Sequence, residues 1–165
     1  MHYLRLLFLI LILGSLVNAQ NSRVLEKASG FSYLLPAGWI AKTVAGYQHK
    51  FAFGPTSQGF APNVNFVFEA FAGSLSNYVS ASKSSLEKVF KNYKILFETR
   101  ASTKNAGDAI KLGLQNEQQG KTLFQAFYFV DAKSKKFVIT CTTLPSQRAK
   151  LEPDCDALVK SFSLE

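Results

Sequence analysis

A chain of 165 residues that is 47% hydrophobic, with fifteen Phe and only 18% charged residues, suits one ordinary domain and excludes a disordered or coiled-coil protein. Its formal net charge of +8 keeps such a domain in solution and favours anionic contacts: lipid headgroups, polysaccharide or an acidic protein face. Nucleic acid is not an expected partner, because the lysines are spread thinly along the chain.

Residues 1–5 carry one positive charge at Arg5, and residues 6–17 are apolar apart from Gly14 and Ser15. Val17, Asn18 and Ala19 then offer a cleavage site before Gln20. The pattern predicts a Sec-type signal peptide over residues 1–19 and an exported product, periplasmic or extracellular. The apolar run is short for a membrane-spanning helix, which needs ~20 residues. No later stretch is longer, so the mature chain is expected to lack a transmembrane segment.

Residues 20–29 read as a polar, flexible lead-in, and residues 30–165 as a single domain. Residues 30–35 alternate and meet Pro36, Gly38 and Trp39, a strand ending in a turn with Trp39 as a core anchor. Residues 39–44 and 48–53 are extended, with Gly46 as the bend. Residues 54–63 (GPTSQGFAPN) form a loop. Residues 64–71 (VNFVFEAF) are apolar on both faces, which predicts a sheet covered on both sides.

Ser74 and Asn77 offer helix N-caps. Val79, Leu86, Phe90 and Tyr93 follow on one face, with Lys83, Glu87 and Lys91 on a solvated one. Strands are expected over residues 94–100, 109–117, 123–130 and 137–143, the third of them central. Asn105 to Asp108 and Gln119-Gly120 are turns, and residues 131–136 are a polar hairpin tip. Ser146 opens a last helical region. Pro153 fits the first turn of a helix better than its interior, which predicts a short turn before it and a longer helix after it. The sum is an α+β domain, a mostly antiparallel sheet with helices on both sides.

Cys141 and Cys155 permit one connectivity, closing a loop of 14 residues. In an oxidising compartment a disulfide is expected, with two buried thiols as the alternative. Leu151, Cys155, Leu158 and Phe162 share a helix face and Cys141 shares a strand face with Phe137 and Ile139, so packing of the two would bring the sulfurs together.

Catalytic chemistry is poorly represented. Beyond the leader the sole histidine is His49, read as a surface strand residue, and no G-x-S-x-G elbow is present. One His and two distant Cys do not give zinc spacing, and neither metal nor cofactor is expected. Glu152, Asp154 and Asp156 suit the positive end of a helix better than a calcium site. Asn63 and Asn65 are either a ligand-facing amide pair or partners of loop backbone. Phe60, in the 54–63 loop, is either an exposed recognition residue or folded back on the sheet. Lys133, Lys135 and Lys136 form the densest positive cluster, a solvated turn or an anionic contact.

Phe31-Ser32 followed by Leu35-Pro36-Ala37-Gly38-Trp39, then Asn63-Val64-Asn65, Asn77-Tyr78-Val79, Gly107 with Ala109, and Lys160-Ser161-Phe162 resemble in order and interval the PsbP/Mog-like superfamily, including DcrB-like and LpqN-like exported proteins. The resemblance implies a three-layer α/β/α sandwich used as a binding module, without shared catalytic residues. Its members assist photosystem assembly, bind a small GTPase or sit in the bacterial envelope. The expectation is therefore an exported, non-enzymatic binding or accessory module. Electrostatic attachment to an anionic surface and a hydrolase using His49 are the alternatives.

Overall fold

The computed structural model describes residues 22–132 and 135–165, so the expected signal peptide and Lys133 lie outside the described residues. Strands β1 (Arg23–Glu26), β2 (Phe31–Leu34), β3 (Ile40–Lys42), β4 (Phe51–Phe53) and β5 (Asn63–Ala70) precede helix α1 (Leu75–Val89). Strands β6 (Lys91–Ser102), β7 (Asp108–Gln118), β8 (Lys121–Ala132) and β9 (Lys135–Thr143) follow, then helix α2 (Arg148–Ser161) and β10 (Ser163–Leu164). The strands pair antiparallel. They form a sheet of order β3-β4-β5-β9-β8-β7-β6 and a small sheet of order β1-β2-β10.

The period-2 pattern of β8 is apolar on both faces, and the two faces feed two cores. On one, Phe124, Ala126, Tyr128 and Val130 pack with Leu151, Cys155, Leu158 and Val159 of α2, and with Phe31 and Tyr33 of the small sheet. On the other, Phe127 and Phe129 pack with Leu112 and Leu114 of β7 and with Tyr78 and Val79 of α1. Ser74 caps α1 by accepting from the Asn77 N–H at 3.2 Å. Gln119 and Gly120 both have positive φ, as a two-residue hairpin turn requires.

Several expectations need correction. Part of the lead-in, Arg23–Glu26, is strand β1, because its backbone pairs with β2 from Arg23↔Leu34 to Glu26↔Phe31. Pro153 lies inside one continuous α2 rather than opening a second helix. The carbonyl its ring leaves without a partner is that of Ala149, an exposed residue that water can reach. Lys83 pairs with Glu98 on β6 at 2.8 Å instead of its helix neighbour Glu87, so that face of α1 leans on the sheet. β5 is not covered on both sides: Val67 is half exposed.

Cys141 and Cys155 sit at disulfide distance, joining β9 to α2 with Cα atoms 6.5 Å apart. A bulge in β6 between Ile95 and Phe97 carries the Phe97 ring over Gly113, where a Cβ would collide with it. Gly113→Val is therefore expected to cost about 3 kcal/mol by overpacking, measured by urea denaturation. A cost below about 0.5 kcal/mol would mean that the ring does not need that space.

Candidate functional site: an open half-sheet beside α1

α1 has 15 residues and is about 22 Å long, too short to cover seven strands. It packs on β6, β7 and β8. The same sheet face is left open over β3, β4 and β5, whereas Thr140 and Thr142 of β9 are buried. Cross-strand register fixes what stands there. One row runs Ile40, Phe53, Asn63, Thr142 and Gln125; the next holds Lys42 and Phe51, then Asn65, Thr140 and Phe127. Val67 and Val138 stand opposite each other one step further along.

The open face is apolar and aromatic at both margins. Ile40 is 50% exposed, Tyr47 54% and Val67 50%. The rings of Tyr47 and Phe51 meet edge-on at 4.7 Å, and those of Phe51 and Phe53 stack at 5.9 Å. Where α1 meets the sheet, a groove of about 430 Å³ has Phe127, Phe129 and Val138 on its floor. Ala81, Ser82, Ser85, Leu86 and Val89 form the helix wall. The small residues keep the groove wide, and Val89 stands 74% exposed at its rim. Tyr78 closes one end by donating its hydroxyl to Glu69 at 2.6 Å. Burial, and then that carboxylate, push the Tyr78 pKa well above the ordinary tyrosine value.

Between the margins lies an uncharged polar strip. Asn116 Nδ2 donates to Gln125 Oε1 at 2.6 Å, and Gln125 Nε2 donates to Thr142 Oγ1 at 3.1 Å. Gln118 Nε2 reaches both Asn116 and Gln125. These bonds hold side chains that are buried on a sheet face. Asn63 donates to the Ala61 carbonyl at 3.3 Å, the structural role. The half-buried Asn65 makes no side-chain hydrogen bond among the described residues.

The other sequence candidates do not converge on this face. Phe60 is half-buried beside the turn at Gln58 and Gly59, bridged to Ser57 in both directions. That loop is fixed from below, since Gln147 donates to the Ser57 carbonyl at 2.7 Å and Ser146 to Gln58 at 2.9 Å. Lys135 is exposed, its Nζ 4.7 Å from the Phe68 ring centre. Lys136 is no hairpin-tip contact: it is 2% exposed and pairs with Asp131 at 2.8 Å. Lys136 also lies six residues from Thr142 along β9, about 20 Å at the rise of a strand.

His49 is corrected from surface residue to buried one. It is 4% exposed, against the Phe31 ring at 5.1 Å and the Phe68 ring at 5.5 Å. Its Nδ1 has no hydrogen-bond partner and lies 3.9 Å from Glu26. Burial lowers its pKa from the ordinary 6.5, against the opposing pull of Glu26. The unfolded chain therefore takes up a proton near that value while the folded chain does not, so stability falls as pH drops below it. Denaturation at several pH values should show this slope, and His49→Leu should flatten it. An equal slope in the variant would show that His49 does not set it.

Glu152, Asp154 and Asp156 are also corrected, from helix-end charges to partners of specific groups. Lys111, 8% exposed, reaches Glu152 at 3.0 Å and Asp156 at 2.9 Å. Tyr128 donates to Asp156 at 2.6 Å, and Trp39 Nε1 to Asp154 at 3.1 Å. Among the described residues no group of three His, Cys, Asp or Glu is placed to hold a metal ion, and no helix is long and apolar enough to cross a membrane.

The fold recurs in solved structures. LpqN of Mycobacterium tuberculosis, described as involved in cell envelope biogenesis, matches with TM-score 0.65 at 13% identity, over 88% of this chain and 90% of its own. The cyanobacterial PsbP of Synechocystis matches with TM-score 0.64 at 12% identity, over 92% and 96%. The fold is PsbP/Mog-like. The Ran-binding protein Mog1p of Saccharomyces cerevisiae agrees, with TM-score 0.62 at 12% identity over 88% and 96%. Protein-family models and curated sequences give no match. At such identities the PsbP/Mog-like fold is shared and a partner is not thereby transferred.

Ile40, Tyr47, Phe51, Phe53 and Val67 were missed as functional candidates. The signal lay in the alternation Phe51-Ala52-Phe53, which marks two faces but assigns the large rings to the core. Here Ala52 is fully buried on the core side, and the rings of Phe51 and Phe53 stand half-buried on the other face.

Proposed function

We propose that this chain is an exported, non-enzymatic binding or accessory module of the cell envelope or secretome, and that the open half-sheet is its contact surface. The observation that carries the reading is the grouping of Ile40, Tyr47, Val67 and Val89 around one uncovered face. Exposed apolar groups gathered on one patch mark interaction sites, whereas scattered ones need no explanation. A leader-like N-terminus and a cysteine pair at disulfide distance support export. Helices on opposite faces of the large sheet support the three-layer α/β/α reading. His49, packed between aromatic rings, offers a hydrolase no accessible base. LpqN, described as an envelope-biogenesis protein, and Mog1p, described as Ran-binding, are the kind of neighbours that fit an accessory module.

The test is affinity purification from native envelope extract with quantitative mass spectrometry. Val67→Glu is expected to lose a component that the wild type and Leu25→Glu both retain; Leu25 is an exposed apolar residue on the small sheet. Identical recovery by all three proteins would remove the open face from the account.

A further inference from the structure

We infer that the open half-sheet docks on a membrane surface containing anionic lipid, an inference that rests on the reading of that face as the contact surface. Of the six large apolar side chains that stand exposed among the described residues, Ile40, Tyr47, Val67 and Val89 border this face or its groove. Phe51 and Phe53 lie half-buried between them, outside both packed cores. Aromatic and aliphatic groups presented together on one face suit shallow insertion at the headgroup boundary, where a ring can bury its body and keep a polar tip wet. Tyr47 has that character.

Charge chooses the lipid. Lys42 is the cross-strand partner of Phe51 at the outer margin of the face. Lys88 precedes Val89 in the last turn of α1, at the rim of the groove. Both are exposed, and neither meets an acid among the described residues. Their long stems can lie along apolar surface while the ammonium reaches outward. Glu69, the carboxylate at the far end of the groove, is already engaged by Tyr78. Two outward cations flank the apolar patch, and an anionic headgroup layer complements them. The half-buried amides of Asn63 and Asn65 lie between these margins, with Thr140 and Thr142 buried beside them.

The experiment is co-sedimentation of the chain as the cell exports it, its N-terminus read by mass spectrometry, with vesicles of phosphatidylcholine alone or with about a quarter phosphatidylglycerol. Binding to the anionic vesicles is expected, weakening between about 0.1 M and about 0.5 M salt. Lys42→Glu with Lys88→Glu should lower partitioning at least about tenfold, since each lysine near such a surface contributes about fivefold. Ile40→Asp with Val89→Asp, both at exposed positions, should abolish it, while Leu25→Asp leaves it unchanged. Circular dichroism melts confirm that each variant is folded. Wild-type protein left in the supernatant, or binding that ignores the face variants, overturns the inference. If Val67→Glu nevertheless loses a protein from envelope extracts, the face stands and its occupant is proteinaceous. If neither assay responds to the face, both readings fall.

Discussion

Phe31→Ala is expected to lower the unfolding free energy by about 4 kcal/mol, the largest effect of any single truncation considered for this chain. The ring is fully buried and lies where five elements meet. Its centre is 5.1 Å from His49, 5.3 Å from Phe162, 5.5 Å from Phe66, 5.6 Å from Phe137 and 6.4 Å from Tyr33. Those partners belong to the small sheet, the chain before β4, the two large-sheet strands β5 and β9, and the end of α2. A cavity there cannot collapse without moving one sheet against the other, so the cost lies toward the top of the usual range for Phe→Ala. The midpoint of thermal unfolding should fall by about 10 °C, while Phe31→Leu costs about 1 kcal/mol. A loss under about 1 kcal/mol for the alanine variant would show that the two sheets do not depend on this ring.

The cysteine pair carries the second large effect. Cys141 is fully buried on β9 and Cys155 nearly so on α2. Alkylation of the exported protein without reductant should leave its intact mass unchanged. Cys141→Ala with Cys155→Ala should cost about 3 kcal/mol, the loop-closure value for a segment of 14 residues. Two alkylated cysteines, or a double variant as stable as the wild type, would contradict the pairing. Reduction should loosen α2 more than α1, because the link ties β9 to α2 alone.

How much of this was legible in the chain depends on which force dominates each segment. The strands over residues 109–117 and 123–130 and the cap at Ser74 follow from local pattern, and each appears close to its expected limits. The approach of Cys141 to Cys155 followed from two inward-facing periodicities. What escaped was set by tertiary packing. Pro153 remains within α2 because Lys111, Trp39 and Tyr128 engage Glu152, Asp154 and Asp156 on either side of it. His49 is enclosed by Phe31 and Phe68, residues far from it in the chain. Lys136 is buried because Asp131, one strand away, neutralises it.

The site was half legible. Asn63 and Asn65 stood out as amides entering a strand, and both lie on the open face. The aromatic and aliphatic groups beside them were given no role, since apolar alternation cannot say which side a helix will cover. That depends on the length of α1, which spans the β6 to β8 half of the sheet and stops. Phe60 was singled out for its loop, yet its loop is pinned to the turn before α2 through Gln147 and Ser146.

Site-specific photocrosslinking in the producing cell tests the contact surface most directly. A photoreactive residue at position 67 should give adducts with an envelope component, and the same residue at position 25 should give none. Adducts at position 25 with a silent position 67 would place the working surface elsewhere on the molecule.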